Sequence, residues 1–297
     1  MLFTTITCSE KGPREEQQDA AGVVSQGERL LAVVCDGAGG HRGGSRASKI
    51  AVQVACEVFE KADGKFEDPK AALLSICERA HREILSLGET PKLAPRSTIT
   101  VLYLDGEKAH MVHVGDSRIY RLRSGKIIER TRDHTMVQIL LEQGEVKESE
   151  MGEHPDQGRL LRALGAEDDL RPTYGSTDLT GNDGFLLCSD GFWERTRPEE
   201  IEKLFHGQPT QARLERIVRR AIERNGPKGD NVTALAVFSE QQATGCPLPS
   251  FLRWPLLAVL ILALGYLLWQ IWFSPTNPFS SGSRPPEVNH PVPFAHE

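Results

Sequence analysis

Five times in its first 240 residues the chain sets an aspartate against the end of a short apolar run, beside glycine or another small residue. Leu31-Ala32-Val33-Val34-Cys35 runs into Asp36 and then into Gly37-Ala38-Gly39-Gly40-His41. Val112-His113-Val114-Gly115 leads to Asp116-Ser117, and Phe185-Leu186-Leu187-Cys188-Ser189 leads to Asp190-Gly191. Asp230-Asn231 precedes the apolar residues 232–238, and Asp19 precedes 20–24. Short apolar runs bounded by turn residues read as buried strands. The fold must therefore bury many strands and leave carboxylates at their ends. Any one of these aspartates fits a tight turn, and Asp36-Gly37 is a common hairpin pair. Five are harder to explain so, because gathered carboxylates repel one another unless a cation neutralises them. Hard divalent cations take such oxygen ligands.

The rest of the chain fits around those runs. Residues 2–7 suit a first strand, and 20–24 with 29–35 form a hairpin about Gln26-Gly27-Glu28. Ser45 is placed to cap a helix running to Lys61, with Ile50, Val54 and Val58 on one face. Pro69 starts a second helix, 69–87, with Leu73, Ile76, Ala80 and Ile84 on one face. Short strands follow at 98–104, 109–114, 118–123 and 126–130, read as an antiparallel meander. Asp133 or Thr135 opens a short helix to Gln143, and the polar, aperiodic residues 144–159 read as a mobile loop. A strand at 185–189, helices at 198–205 and 211–223 and a strand at 232–239 complete the run. Helices, then strands, then helices predict an α+β fold.

Bulk properties narrow the function. A chain of 297 residues can bury a sizeable core. Its net charge of −6, with no concentrated stretch of Lys and Arg, argues against a nucleic-acid partner. None of the six cysteines (8, 35, 56, 77, 188, 246) forms a CxxC pair, so zinc and thiol-redox sites are not indicated. They read as core residues of a reducing compartment. No secretory leader is evident at the N-terminus.

Residues 241–253 are linker-like, and 254–273 are 20 residues without a charge. At ~1.5 Å per residue a helix of that length spans a ~30 Å hydrocarbon layer. Trp254, Trp269 and Trp272 lie near its ends, as membrane-interface aromatics do. A buried soluble helix is the alternative. Residues 274–297 carry six prolines and read as disordered. Basic residues precede the span and only Arg284 follows it, which predicts a single-pass anchor in the cytoplasmic membrane. The large domain then lies on the cytoplasmic side and the tail outside.

Arg14-Glu15-Glu16-Gln17-Gln18-Asp19, Asp36-Gly37-Ala38-Gly39-Gly40-His41, Gly115-Asp116-Ser117-Arg118, Ser189-Asp190-Gly191 and Gly229-Asp230-Asn231-Val232-Thr233 resemble, in order, the motifs of the PP2C-type (PPM) metal-dependent serine/threonine phosphatases, bacterial branch. Arg96-Ser97-Thr98-Ile99-Thr100, Arg132-Asp133-His134-Thr135 and Leu161-Arg162-Ala163-Leu164-Gly165 add to the likeness. It runs from about residue 3 to about residue 239, each motif weak alone and the ordered set specific. The resemblance implies a four-layer α/β/β/α sandwich, two antiparallel sheets flanked by helices, over a domain of residues 1–240. It also implies a flap in the region of 144–159.

For the site, the resemblance implies hydrolysis of phosphoserine and phosphothreonine by a water bridging two Mn²⁺ or Mg²⁺ ions. Asp36 would bridge the ions, the Gly37 carbonyl would bind one, and Asp190 and Asp230 the other. Asp116 with Asp190 would hold a third, weaker ion, and Glu194 would stand near it. Asp19 would act as ligand or water-orienting residue. Arg14 would clamp the phosphate, its fork matching two oxygens, unless it is an ordinary surface arginine. His41 would protonate the leaving oxygen, unless it only positions the loop. No catalytic role falls to His134, and Ser117 and Arg118 read as local structure. Gln17 departs from the family's usual Asn and lengthens the side chain next to Asp19. Phosphorylated proteins, the targets of a serine/threonine kinase, would be the partners of a monomeric catalytic domain. A catalytically weak phosphoprotein-binding module at the membrane is the alternative function.

Overall fold

The computed structural model describes residues 2–39, 43–88, 95–167, 170–207 and 209–239. His41, the linker 241–253, the expected span 254–273, the tail 274–297 and Cys246 lie outside the described residues. All that is described falls within the unit Met1–Gly245.

Two antiparallel five-stranded sheets form its centre. The first runs in the order β1 (Phe3–Glu10), β12 (Val232–Ser239), β11 (Asp183–Cys188), β8 (Arg118–Arg123), β9 (Lys126–Arg130). The second runs β10 (Thr173–Asp178), β7 (Lys108–Val114), β6 (Ile99–Leu104), β3 (Arg29–Cys35), β2 (Ala20–Gln26). Strand β3 explains why its sequence is apolar without a break. Leu30, Ala32 and Val34 face the other sheet, packing with Phe185, Leu187, Leu235 and Val237. Leu31, Val33 and Cys35 face the opposite way, onto helices α1 (Gly43–Lys61) and α2 (Pro69–Leu87). Period-two side-chain alternation with both faces covered turns an alternating pattern into a continuous one. The outer face of the first sheet is covered by α4 (Asp190–Trp193), α5 (Pro198–Phe205) and α6 (Gln211–Asn225). The layers are thus α/β/β/α, as the resemblance implied.

Several local expectations differ. The strands at 98–130 are not one meander: β6 pairs with β7 in one sheet, and β8 pairs with β9 in the other. Between them, Gly115 to Ser117 carries the chain across the sandwich. Alternation identifies a strand's faces but not its neighbour, which is why the sequence did not separate the two pairs. Helix α1 already includes Gly43, so Ser45 lies inside it and is not its cap. Helix α2 has the expected bounds, because Asp68 accepts from the Ala71 N–H and Pro69 occupies the first turn. Thr135, not Asp133, caps α3 (Met136–Gln143). The 144–159 loop contains a 3-10 turn, Glu148–Glu153, whose Met151 is 1% exposed in the core under the first sheet. Strand β10, helix α4 and a small pairing of β4 (Gly37–Ala38) with β5 (Arg96–Ser97) were not anticipated.

Candidate active site

The crossing between sheets and the ends of β3, β11 and β12 bring the five aspartates to one edge of the sandwich. Asp36 leaves β3, Asp116 follows β7, Asp190 opens α4 after β11, and Asp19 and Asp230 precede β2 and β12. Asp19 and Asp116 are buried, whereas Asp36, Asp190 and Asp230 keep an edge at the surface.

The two Asp-Gly pairs are not hairpin turns. Neither Gly37 nor Gly191 has positive φ. Glycine is required at both because backbone approaches too closely for a side chain. A Cβ on Gly37 would lie 2.1 Å from the Gly44 carbonyl oxygen, and one on Gly191 would lie 2.1 Å from that of Asn231. These contacts press the start of α1 against the Asp36 loop and α4 against the Asp230 loop.

Hydrogen bonds from distant elements hold the carboxylates in place. Ser189 donates to Asp19 Oδ2 at 2.8 Å, and its hydroxyl in turn accepts from the Thr233 N–H. The Asp36 N–H donates to Thr98 Oγ1, which shares a 2.7 Å hydrogen bond with the Ser117 hydroxyl, so Thr98 ties the Asp36 loop to the Asp116 loop. Trp193 Nε1 donates to the Asp116 carbonyl at 2.9 Å. Asn231 pins the loop that carries Arg14: its Oδ1 accepts from the Gln18 N–H, and its Nδ2 donates to the carbonyls of Lys11 and Glu16. Gln17 spans the Asp19 N–H and the Ser9 hydroxyl, so its longer side chain is accommodated by reaching β1. Thr98, Ser189, Trp193 and Asn231 were assigned no role from sequence. Thr98, Ser189 and Asn231 lie inside the quoted motifs, which was the signal for them, whereas Trp193 lies outside every one.

Electrostatics marks the cluster as unbalanced. Burial, then the charges of Asp190 and Asp230, push Asp19 up to about 7 against hydrogen bonds from Thr233 and Ser189 that pull it down. Burial first and Asp230 second raise Asp190 to about 6. Asp36 and Asp116 are also held well above the usual carboxylate range, by burial and then by Asp190. Glu194, backed by Gly152, rises to about 9 through burial and then Asp190. Oδ1 of Asp19 and Oδ1 of Asp190 are buried with no hydrogen-bond partner. Arg14 bridges to Asp230 Oδ2 at 2.8 Å and to the Gly229 carbonyl at 3.1 Å, with half its side chain exposed.

Unpartnered carboxylate oxygens in a like-charged, all-oxygen cluster fit hard divalent cations. Among the described residues no three His, Cys, Asp or Glu side chains already close on one ligation point. Coulombic repulsion acts across several ångströms, whereas ligation needs about 2 Å, and Arg14 draws one carboxylate aside. His134 and Arg118 stand outside the cluster. His134 Nδ1 accepts from the Gly115 N–H. Arg118 makes a buried ion pair with Asp133, with its guanidinium 3.4 Å from the Trp193 ring centroid.

Comparisons of sequence and fold find relatives for this chain. Residues 13–236 match the family described as Protein phosphatase 2C. The serine/threonine protein phosphatase PstP of Mycobacterium tuberculosis is 30% identical over 218 residues, 71% of this chain but only 40% of the relative's length. The serine/threonine phosphatase stp of Listeria monocytogenes is 28% identical over 230 residues, 75% of this chain and 90% of that protein. A solved structure of the catalytic domain of PstP in complex with two manganese ions superposes with a TM-score of 0.70 at 28% identity, covering 80% of this chain and 98% of that one.

Proposed function

The chain belongs to the protein phosphatase 2C family, and on that premise we propose that it is a metal-dependent serine/threonine protein phosphatase. The observation that carries the reading is the strand-end aspartate cluster, with its two buried, unpartnered carboxylate oxygens on Asp19 and Asp190. Asp36, Asp190, Asp230 and the Gly37 carbonyl would hold two Mn²⁺ or Mg²⁺ ions, and Asp116 with Asp190 a third. The manganese pair in the PstP structure supports the choice of ion. When bound, such ions offset the repulsion between carboxylates and a phosphate dianion and acidify the attacking water.

The chain's own residues do the rest. Arg14 lies half-exposed at the mouth of the cluster, paired with Asp230. Its fork is placed to leave that carboxylate for two phosphate oxygens, so it binds and orients the phosphoryl group. Asp19, held by Ser189, orients water. His41 is the proposed donor to the leaving serine or threonine oxygen and lies outside the described residues. The names of the relatives support phosphorylated proteins as substrates.

The uncharged residues 254–273 support attachment to the cytoplasmic membrane by a single span, with the catalytic unit on the cytoplasmic side. Confinement there would raise the effective concentration of membrane-bound substrates without altering the chemistry.

Phosphate release from a phosphothreonine peptide tests the activity. The purified chain releases phosphate with Mn²⁺ or Mg²⁺, loses that activity on chelation and regains it on metal return. Asp190→Asn releases little under any condition. Undiminished turnover by the chelated protein or by Asp190→Asn would overturn the reading. Comparing phosphothreonine peptide with nitrophenyl phosphate tests His41: His41→Ala should slow the peptide more, because a good leaving group needs little protonation.

A further inference from the structure

Helices α5 and α6 enclose a cleft of about 820 Å³ that plays no part in the site described above. Six cations line it, Arg197, Lys203, Arg213, Arg216, Arg220 and Arg224, against the carboxylates Glu199 and Glu200. The whole chain carries −6, so this face is opposite in sign to the protein. Four of the arginines recur at spacings of three and four along α6 and share one helix face. The opposite face of α6 is core, through Leu214, Ile217, Val218 and Ala221. Glu200 is spent internally: Arg224 grips it through two nitrogens, at 2.6 and 3.0 Å, and its side chain is only 12% exposed. Among the described residues, Lys203 and Arg216 meet no carboxylate.

The cleft continues toward the segment that follows Asp190. A second cleft, of about 870 Å³, shares Arg197 and Arg224 with the first and reaches Trp193 and Glu194. The end of α6 touches the site directly, Asn225 Nδ2 donating to the Gly191 carbonyl at 3.1 Å. Resting on the phosphatase reading, we propose that the α5/α6 cleft docks an acidic segment of the phosphoprotein substrate while its phosphorylated residue occupies the aspartate site. A concave, strongly basic cleft suits a chain segment better than a flat anionic bilayer. From Arg213 to Arg224 the helix rises ~16 Å, the length of about five extended residues. The second cleft carries both signs of charge, including Glu129, Glu148 and Glu153, so acidic residues next to the phosphothreonine gain nothing there. Arg216 lies eight residues, ~12 Å, along α6 from Arg224, so the acidic run belongs at least about four residues away from it.

The test compares phosphothreonine peptides carrying an Asp/Glu run or a Ser/Gly run at that spacing, using the full chain and its Lys203→Gln/Arg216→Gln double variant. The acidic run should lower KM about fivefold with kcat unchanged, the size that two exposed charge pairs supply. The double variant should lose that advantage and hydrolyse nitrophenyl phosphate as the parent does. Fluorescence anisotropy of a labelled, unphosphorylated Asp/Glu peptide judges the cleft without catalysis: it should bind the parent and lose affinity for the variant. Equal KM for both peptides, or anisotropy indifferent to the variant, would overturn the proposal. So would binding to phosphatidylglycerol vesicles that depends on Lys203 and Arg216 while the acidic peptide does not bind. Failure of every phosphopeptide to release phosphate, with peptide binding intact, would count against the phosphatase reading and not against the cleft.

Discussion

His134 can serve the Asp116 loop only while neutral, because protonation at Nδ1 removes the acceptor that the Gly115 N–H uses. Burial, then stacked His113 (ring centroids 4.6 Å apart) and Arg162, drive its pKa down to about 3. The unfolded chain binds that proton near 6.5, so its contribution to stability is complete above 6.5 and is lost as pH falls toward 3. At pH 5 the loss is about 2 kcal/mol. Urea unfolding at pH 7.5 and pH 5 should show wild type losing about that much more than His134→Asn, which keeps an acceptor but does not titrate. Equal losses in the two proteins would exclude His134 as the titrating group. Arg118 is tested differently. Its guanidinium and the Asp133 carboxylate are 4% and 1% exposed, so Arg118→Ala strands a buried charge and should destabilise by about 3–5 kcal/mol. Loss of less than 1 kcal/mol by denaturant midpoint, as for a surface pair, would contradict the packing described. At this scale the sequence located the aspartates, since a carboxylate after an apolar run can be seen in one stretch of chain. The roles of Ser189 and Asn231 could not be seen so. Their partners Asp19 and Gln18 lie 170 and 213 residues away.

The loop from Lys11 to Gln18 is an element held chiefly by one side chain, that of Asn231, which is 3% exposed. Asn231→Ala leaves the Lys11 and Glu16 carbonyls and the Gln18 N–H without that partner, at a cost of about 1–3 kcal/mol. Because Arg14 rides on this loop, the variant should raise KM for phosphopeptide more than it lowers the melting temperature would suggest, and Asn231→Asp should recover only the Gln18 contact. A KM unchanged in Asn231→Ala would detach the loop from phosphate binding. Elements with an apolar pattern and an end signal were legible: α2 from Pro69, α5 from Pro198, and β12 after Gly229-Asp230-Asn231. Strand β10 was not, because Thr173-Tyr174-Gly175-Ser176-Thr177-Asp178 is a half-exposed edge with little apolar alternation. Sheet membership was also hidden, since the step from β7 to β8 changes sheets without any change in sequence pattern.

On the scale of the molecule, two sheets that each contribute strand ends to one edge make the site a property of the whole sandwich. A chain ending at Ser239 retains β12, which pairs with both β1 and β11. It should stay folded and keep phosphatase activity in the soluble fraction, while the full chain sediments with membranes; full-length protein in the soluble fraction would remove the proposed anchor. The four-layer order followed from family likeness, and helix and strand counts alone supported only an α+β class. The central claim is that the aspartates meet to hold divalent cations, and counting bound ions tests it most directly. Equilibrium dialysis of the chelator-treated chain against Mn²⁺ should give at least two ions per wild-type chain and fewer in Asp190→Asn, with both proteins folded by circular dichroism. No bound Mn²⁺ in the wild type, or the same number in Asp190→Asn, would contradict it.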